Sequence, residues 1–368
     1  MSDIKRVMQS EYMHYAKTLQ HAPINLAISG MADYPTKELP ITPDDFEIHG
    51  VNFYGYAPLV EAIAKKCRVN KENIVSTLGA SMANFLAMAS VIEPGDEILV
   101  ESPTYELLLA AAGYLQAKIN RFPRHPENGF QLDPRDLQRA LTSRTKLIVI
   151  TNLHNPGSAY ADQDTLKTIG RIAESIGAHV LVDEVYLDAM FEKAPPTSFL
   201  LGDQFIVTNS LTKMYGLSGL RCGWVLAEEK LAGRMYQLAN LMYVNQQHPA
   251  ERLSVVALRN LETIAKRMQS ILQTNRLLMN QFLDSRDDLQ LIRPEYGTII
   301  FPKLLTGHTD SFCELLRTKY ETSVAAGRFF EMPDYMRIGL CGDTEILKTG
   351  LERLGKALDE HRTKYGKN

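Results

Sequence analysis

Four cysteines in 368 residues (Cys67, Cys222, Cys313, Cys341) are too few and too widely spaced to build a disulfide framework. No Cys-x-x-Cys pair occurs, so zinc or redox chemistry of that kind has no support, and a reducing, cytoplasmic setting is expected. The nine histidines form no HxxxH or HExxH arrangement, and no metal site is expected. No GxGxxG follows a first strand, so a nicotinamide site has no textual support either. An excess of one charge is also missing. Lys plus Arg total 40 against 43 Asp plus Glu, a formal net charge of −3. The electrostatic footprint of a dedicated nucleic-acid binder is therefore absent, and no nucleic-acid partner is expected.

The opening MSDIKRVMQSEYMHYAK mixes charges through its first turns and has no apolar h-region, so no signal peptide is expected. Asn73 to Ile92 runs 20 residues without a formal charge, about the length needed to cross a bilayer. It also carries Asn73, Ser76, Thr77, Gly79, Ser81, Asn84 and Ser90, too polar a set for a span. The stretch reads as strand, tight loop and helix, and no membrane association is expected. What remains is an ordinary globular composition, 45% hydrophobic and 23% charged. The chain is longer than the ~100 to 200 residues of a typical domain.

The middle of the chain alternates apolar β-rich runs with helical periods. Ile98 to Val100, Ala117 to Phe122, Leu147 to Ile150, Val180 to Val182 and Phe205 to Val207 are expected strands, most of them too continuously apolar to have a wet face. Between them, Ser81 to Ile92 is expected to be a helix with Met82, Phe85, Leu86 and Ala89 on one face. Leu166, Ile169, Ala173 and Ile176 mark another, and Asp133-Pro134 reads as an N-cap followed by Pro at the first helical position. This βαβα pattern predicts an α/β fold with a mostly parallel sheet covered on both faces. From Asn209 to Cys222 there is no room for a crossover helix, so the strand Gly223 to Ala227 is expected to be antiparallel. Helices are expected over Glu228 to Tyr243 and, as one long stretch, Glu251 to Asp284. Strands near Leu289 to Ile292, Thr298 to Phe301 and Tyr335 to Leu340 and a last helix suggest a smaller α+β domain from about residue 250.

Two clusters could carry chemistry. His179 to Tyr186 places Asp183 at the C-terminal end of a buried strand, where open α/β sheets bind ligands. Alone, that carboxylate is more readily a helix cap or a solvated turn. Ser210 to Trp224, written SLTKMYGLSGLRCGW, sets Lys213 beside hydroxyls and then a Gly-studded loop ending in Arg221. These residue types suit a Schiff-base lysine and a phosphate held by a hydroxyl and a guanidinium. Taken singly, Lys213 reads more readily as an exposed loop lysine, with Arg221 as half of a surface ion pair.

With DEVY and NLHNPG upstream, this segment resembles the signature set of the fold-type I pyridoxal-phosphate enzymes, the class I/II aminotransferases of the aspartate aminotransferase superfamily. The similarity runs in order through Asn25 to Gly30, Tyr54 to Ile63, Leu78 to Asn84, Ser102 to Glu106, Asn152 to Gly157, Asp183 to Tyr186, Ser210 to Trp224 and Arg337 to Gly339. It implies an aspartate aminotransferase-like fold with an N-terminal arm (1–40) belonging to the small domain, a large cofactor-binding domain (41–250) and a small domain (251–368).

It further implies pyridoxal 5′-phosphate held covalently by Lys213, which also moves the proton at the substrate Cα. Asp183 would pair with the pyridine nitrogen, Tyr186 and Asn155 would hydrogen-bond the phenolic oxygen, and Tyr105 would stack on the ring. Ser210, Arg221 and the backbone amides of Ala80 and Ser81 at a helix start would bind the phosphate. Arg337 would bind the α-carboxylate bidentately, with Gly30 and Asn155 beside it, and Tyr54 would reach the phosphate of a neighbouring subunit in a homodimer.

The sequence departs from the family pattern in three places. The usual Asn-Pro-x-Gly turn reads Asn155-Pro156-Gly157-Ser158, Ala325-Ala326 stand where many relatives have proline, and no second arginine for a side-chain carboxylate is recognisable. The expectation is an aminotransferase moving an amino group between a neutral or aromatic α-amino acid and a 2-oxo acid. A lyase, decarboxylase or cyclase of the same fold is the alternative, and a non-catalytic regulatory module a weaker one, since no winged-helix segment is recognisable.

Overall fold

Continuously apolar runs form the centre of this fold. The computed structural model describes residues 6–18 and 22–366. Helix α1 (Glu11–Thr18), the two-residue strand β1 (Ile24–Asn25) and α2 (Ala57–Cys67) come first. The alternating part follows as β2 (Ile74–Leu78), α3 (Ala80–Val91), β3 (Glu97–Ser102), α4 (Glu106–Tyr114), β4 (Lys118–Pro123), α5 (Pro134–Ala140), β5 (Thr145–Thr151) and α6 (Gln163–Glu174). It ends with β6 (His179–Asp183), β7 (Phe205–Ser210) and β8 (Cys222–Leu226). Next are α7 (Glu229–Asn240), α8 (His248–Arg259), α9 (Leu261–Asp284), β9 (Leu289–Gln290), β10 (Ile299–Ile300) and β11 (Lys303–Leu304). The chain closes with α10 (Thr309–Lys319), β12 (Thr322–Ser323), β13 (Ala325–Ala326), β14 (Met336–Gly339) and α11 (Thr344–Tyr365).

Seven strands form one sheet in the order β2-β8-β7-β6-β5-β3-β4. As expected from the short link before it, β8 runs antiparallel to both β2 and β7, and the remaining pairs are parallel. The inner strands β7 and β8 are buried at every position because helices cover both faces. The edge strand β4 is only partly buried. The stretch Asn73 to Ile92 is strand, turn and helix, and among the described residues no helix is long and apolar enough to cross a membrane. Asp133 caps α5 by accepting from the Arg135 N–H.

Two helix expectations need correction. The single stretch to Asp284 is two helices, α8 and α9, broken at Asn260, whose φ of −115° and ψ of 16° lie outside the helical range. In α3 the buried residues are Ala83, Asn84, Leu86, Ala87 and Met88, while Met82, Phe85 and Ala89 are only partly buried. The helix packs against the sheet and against α4 and α7, so it is covered on several sides and a single stripe does not describe it.

The C-terminal elements carry small sheets of their own, β10-β14-β13 and β11-β9. Strand β1 pairs in parallel with β12, Ile24 opposite Thr322 and Asn25 opposite Ser323, and the Gly339 N–H donates to the Leu26 carbonyl at 2.7 Å. The beginning of the chain is thereby stitched to its end.

Candidate active site

In the large sheet β4 and β5 flank β3 on opposite sides, which makes a crevice at the C-terminal ends of these strands. Chain segments far apart in sequence meet there around a cavity of about 470 Å³. It is lined by Ala80, Ser81, Tyr105, Asn155, Asp183, Tyr186, Ser210, Lys213, Arg221 and Arg337, among others. Ten of the twelve expected residues are thus brought together. The other two are not lining residues. Gly30 lies just behind, where the neighbouring Met31 N–H donates to the Lys213 carbonyl at 2.7 Å. Tyr54 lies elsewhere, 60% exposed, with its ring 5.7 Å from that of Tyr236.

Lys213 sits in the loop between β7 and β8, and its Nζ donates to Ser29 Oγ at 3.1 Å. Tyr186 donates its hydroxyl to the same oxygen at 2.8 Å. Burial depresses the Lys213 pKa, and the Arg337 charge acts in the same direction. Burial pushes the Tyr186 phenol up to about 12. Asp183, at the end of β6, accepts from Asn84 Nδ2 at 2.8 Å and from the Val185 N–H at 3.1 Å. Burial raises its pKa, and these two bonds and the Lys213 charge oppose the rise.

Arg337 on β14 is 1% exposed, while Met336, Ile338 and Leu340 of the opposite face join the core. Its guanidinium donates to Asn155 Oδ1 at 3.1 Å, to the Tyr12 hydroxyl at 2.6 Å and to the Ala27 carbonyl at 3.0 Å. Because the Asn155 amide oxygen is engaged, its Nδ2 remains as the donor. Tyr105 precedes α4; its ring meets Tyr12 edge-on at 5.8 Å, and its hydroxyl donates to Met13 Sδ at 3.3 Å.

At the other end of the cavity β2 turns into α3 through Gly79, whose φ of +79° favours glycine. A Cβ here would also run into the Arg221 guanidinium. Arg221 and Ser81 are exposed at this end, whereas Ser210 is buried.

The turn after β5 shows what the displaced glycine does. Ser158 has φ +56°, a left-handed conformation that glycine adopts without the steric cost, and its hydroxyl donates to the Ile299 carbonyl at 2.9 Å. His154 caps this turn: its Nδ1 accepts from the Gly157 N–H at 3.2 Å and its Nε2 lies 2.9 Å from the Pro103 carbonyl. It does not line the cavity. Among the described residues no group of three or more His, Cys, Asp or Glu is placed to hold a metal ion.

The sequence profile described as "Aminotransferase class I and II" matches residues 46–354. The chain belongs to this family. It is a fold-type I, pyridoxal-phosphate-dependent aminotransferase with the aspartate aminotransferase-like fold. A capreomycidine synthase of Streptomyces vinaceus is 30% identical over 307 residues, 82% of this chain and 78% of that one. An aspartate aminotransferase of Pyrococcus horikoshii is 28% identical over 299 residues, 79% of this chain and 76% of its own. A solved PLP-dependent aminotransferase of Streptococcus suis overlays with a TM-score of 0.91 at 26% identity, covering 97% of this chain and 99% of the other.

The residues present fit the aminotransferase cofactor. A buried carboxylate, an amine of depressed pKa and an exposed arginine beside a helix start are spread along one cavity. The Thr212 hydroxyl, also at the cavity, has no hydrogen-bond partner among the described residues. Sequence reasoning missed Tyr12, Ser29 and Asn84 as lining residues, and took Thr212 only as a hydroxyl beside Lys213. Asn84 left a signal of its own, an amide among apolar neighbours in its helix.

Proposed function

We propose that this aminotransferase exchanges the amino group of a neutral or aromatic α-amino acid with a 2-oxo acid. The observation that carries the reading is the set of cations at the cavity, Lys213, Arg221 and Arg337 among the described residues. Each has a task, so none is left for a side-chain carboxylate. Tyr12, Met13, Ala16 and Ile28 line the remaining wall, and an apolar or aromatic side chain suits it.

Pyridoxal phosphate supplies, when bound, a protonated pyridine ring that withdraws the electron pair left at Cα. Asp183 would pair with that nitrogen and keep it protonated, because a carboxylate beside a cation favours the charged form of both. Tyr186 and Asn155 Nδ2 would hydrogen-bond the phenolic oxygen, and Tyr105 would stack on the ring. Ser210, Arg221 and the N–H groups of Ala80 and Ser81 at the start of α3 would hold the phosphate. Arg337 fixes the α-carboxylate with its planar fork, with Gly30 and Asn155 alongside. Lys213 Nζ, whose pKa burial and the Arg337 charge lower, would serve as the base that moves the proton at the substrate Cα.

The same reading assigns 1–40 and 251–368 to a small domain and 41–250 to a large one, supported by the pairing of β1 with β12. It also makes the protein a cytoplasmic homodimer. Phe53 and Leu241 are 84% and 83% exposed, with Ile48, Val51 and Val244 nearby in sequence also exposed, and the open phosphate end leaves room for Tyr54 of a second copy. Light scattering should give a dimer, and a monomer fully active at nanomolar concentration would remove this part of the reading.

A second reading keeps the cofactor and changes the reaction to that of a lyase, decarboxylase or cyclase. It is favoured by one observation, that the Streptomyces relative is by name a synthase. Spectra of the half-reaction with each proteinogenic amino acid decide between them. The first reading expects conversion to the amine form of the cofactor, fastest with neutral or aromatic donors. Aspartate as the best donor, or product release without that conversion, contradicts it.

A further inference from the structure

Asp183 is held by a partner that none of the family motifs assigns a task. Asn84, 6% exposed, extends from α3 between apolar neighbours Ala83, Leu86 and Ala87. Both ends of its amide are engaged. Nδ2 donates to Asp183 Oδ2 at 2.8 Å, and Oδ1 accepts from the Thr208 hydroxyl at 2.6 Å.

The fold makes this triangle. The register of β6 against β7 sets Asp183 beside Thr208, and α3 packs across both strands. The reverse orientation of the amide would turn its oxygen toward the carboxylate. The Thr208 donor and the Asp183 acceptor therefore select one orientation between them.

We propose that Asn84, oriented by Thr208, is a positioning residue for Asp183: it fixes one carboxylate oxygen and stabilises the ionised form, so that the carboxylate can hold the ring nitrogen of the cofactor. The inference rests on the reading of Asp183 as the partner of that nitrogen. Burial works against ionisation of Asp183, and among the described residues the Asn84 amide and the Val185 N–H are the donors to it. Removing the amide donor leaves one buried oxygen short of a partner before the cofactor arrives, which weakens the carboxylate as a counter-ion.

The test titrates pyridoxal phosphate into apoprotein of wild type, Asn84→Leu, Thr208→Val and the double variant. It follows cofactor affinity, the pH dependence of the visible band, and kcat and KM for one amino donor. Asn84→Leu should weaken cofactor binding ~10- to 100-fold, the worth of one buried hydrogen bond to a carboxylate, and lower kcat with little change in donor KM. Thr208→Val should shift the same readouts in the same direction by less. The double variant should be no worse than Asn84→Leu, since Thr208 acts through the amide.

Cofactor affinity and kcat of Asn84→Leu within about twofold of wild type, or additive losses in the double variant, would overturn the proposal. Should Asn84→Leu fail to fold, Thr208→Val decides, and an unchanged affinity and band profile there overturns it equally. Asp183→Asn separates the two levels of argument. If it leaves affinity and band unchanged, the reading of Asp183 is at fault; if it alone has an effect, only the role of Asn84 is.

Discussion

Arg337 shows how a residue gains meaning from neighbours that its own strand does not reveal. Alternation along Tyr335 to Leu340 separates it from the apolar face, yet an arginine on the polar face of a strand is, seen alone, usually structural. The role proposed for it rests on Tyr12, Ala27 and Asn155, which hold the guanidinium at the cavity from three distant segments. Lysine at this place keeps the charge but loses the fork and cannot satisfy all three acceptors while binding a carboxylate in its plane. Arg337→Lys should lower kcat/KM by ~10- to 1,000-fold for every monocarboxylic donor, with their rank order preserved. Steady-state kinetics across several donors checks this; a reordered preference would mean that the residue reads the side chain. Ser29 and Tyr12 were illegible for a simple reason: a serine in an apolar run and a tyrosine in an N-terminal helix carry no chemistry until Lys213 and Arg337 arrive beside them.

At the scale of elements, the strands were legible because runs such as Phe205 to Val207 are apolar at successive positions and a doubly covered sheet requires that. Helix α3 was legible in extent but not in orientation, since a helix covered on several sides has no single stripe to read. The break at Asn260 left no proline or glycine to mark it. The turn from His154 to Ser158 joins sequence and site most tightly, because it sets Asn155 against Arg337. Gly157 is required there: a Cβ would lie 2.6 Å from Phe130 Cδ2 and 2.8 Å from His154 Nδ1. Gly157→Ala should destabilise the fold by about 1–3 kcal/mol through overpacking. It should also reduce activity by displacing Asn155. Denaturant unfolding reads the first effect, and an unchanged midpoint would show that the Phe130 ring yields without cost.

For the whole molecule, the order of motifs along the chain already implied a single site, because the family fold brings those segments together. What the chain alone could not show is which groups close the cavity, and that depends on β1 pairing with β12 and on α1 lying over Arg337. One convergence is central: Lys213 from the β7–β8 loop, Asp183 from β6 and Arg337 from β14 line a single cavity. The direct measurement reduces the cofactor-loaded protein with borohydride, digests it and locates the pyridoxyl group by mass spectrometry. The account predicts a single modified peptide containing Lys213, and no retained label in Lys213→Ala despite cofactor binding through the phosphate. A label on another lysine, or wild-type protein that takes up none when supplied with pyridoxal phosphate, would contradict it.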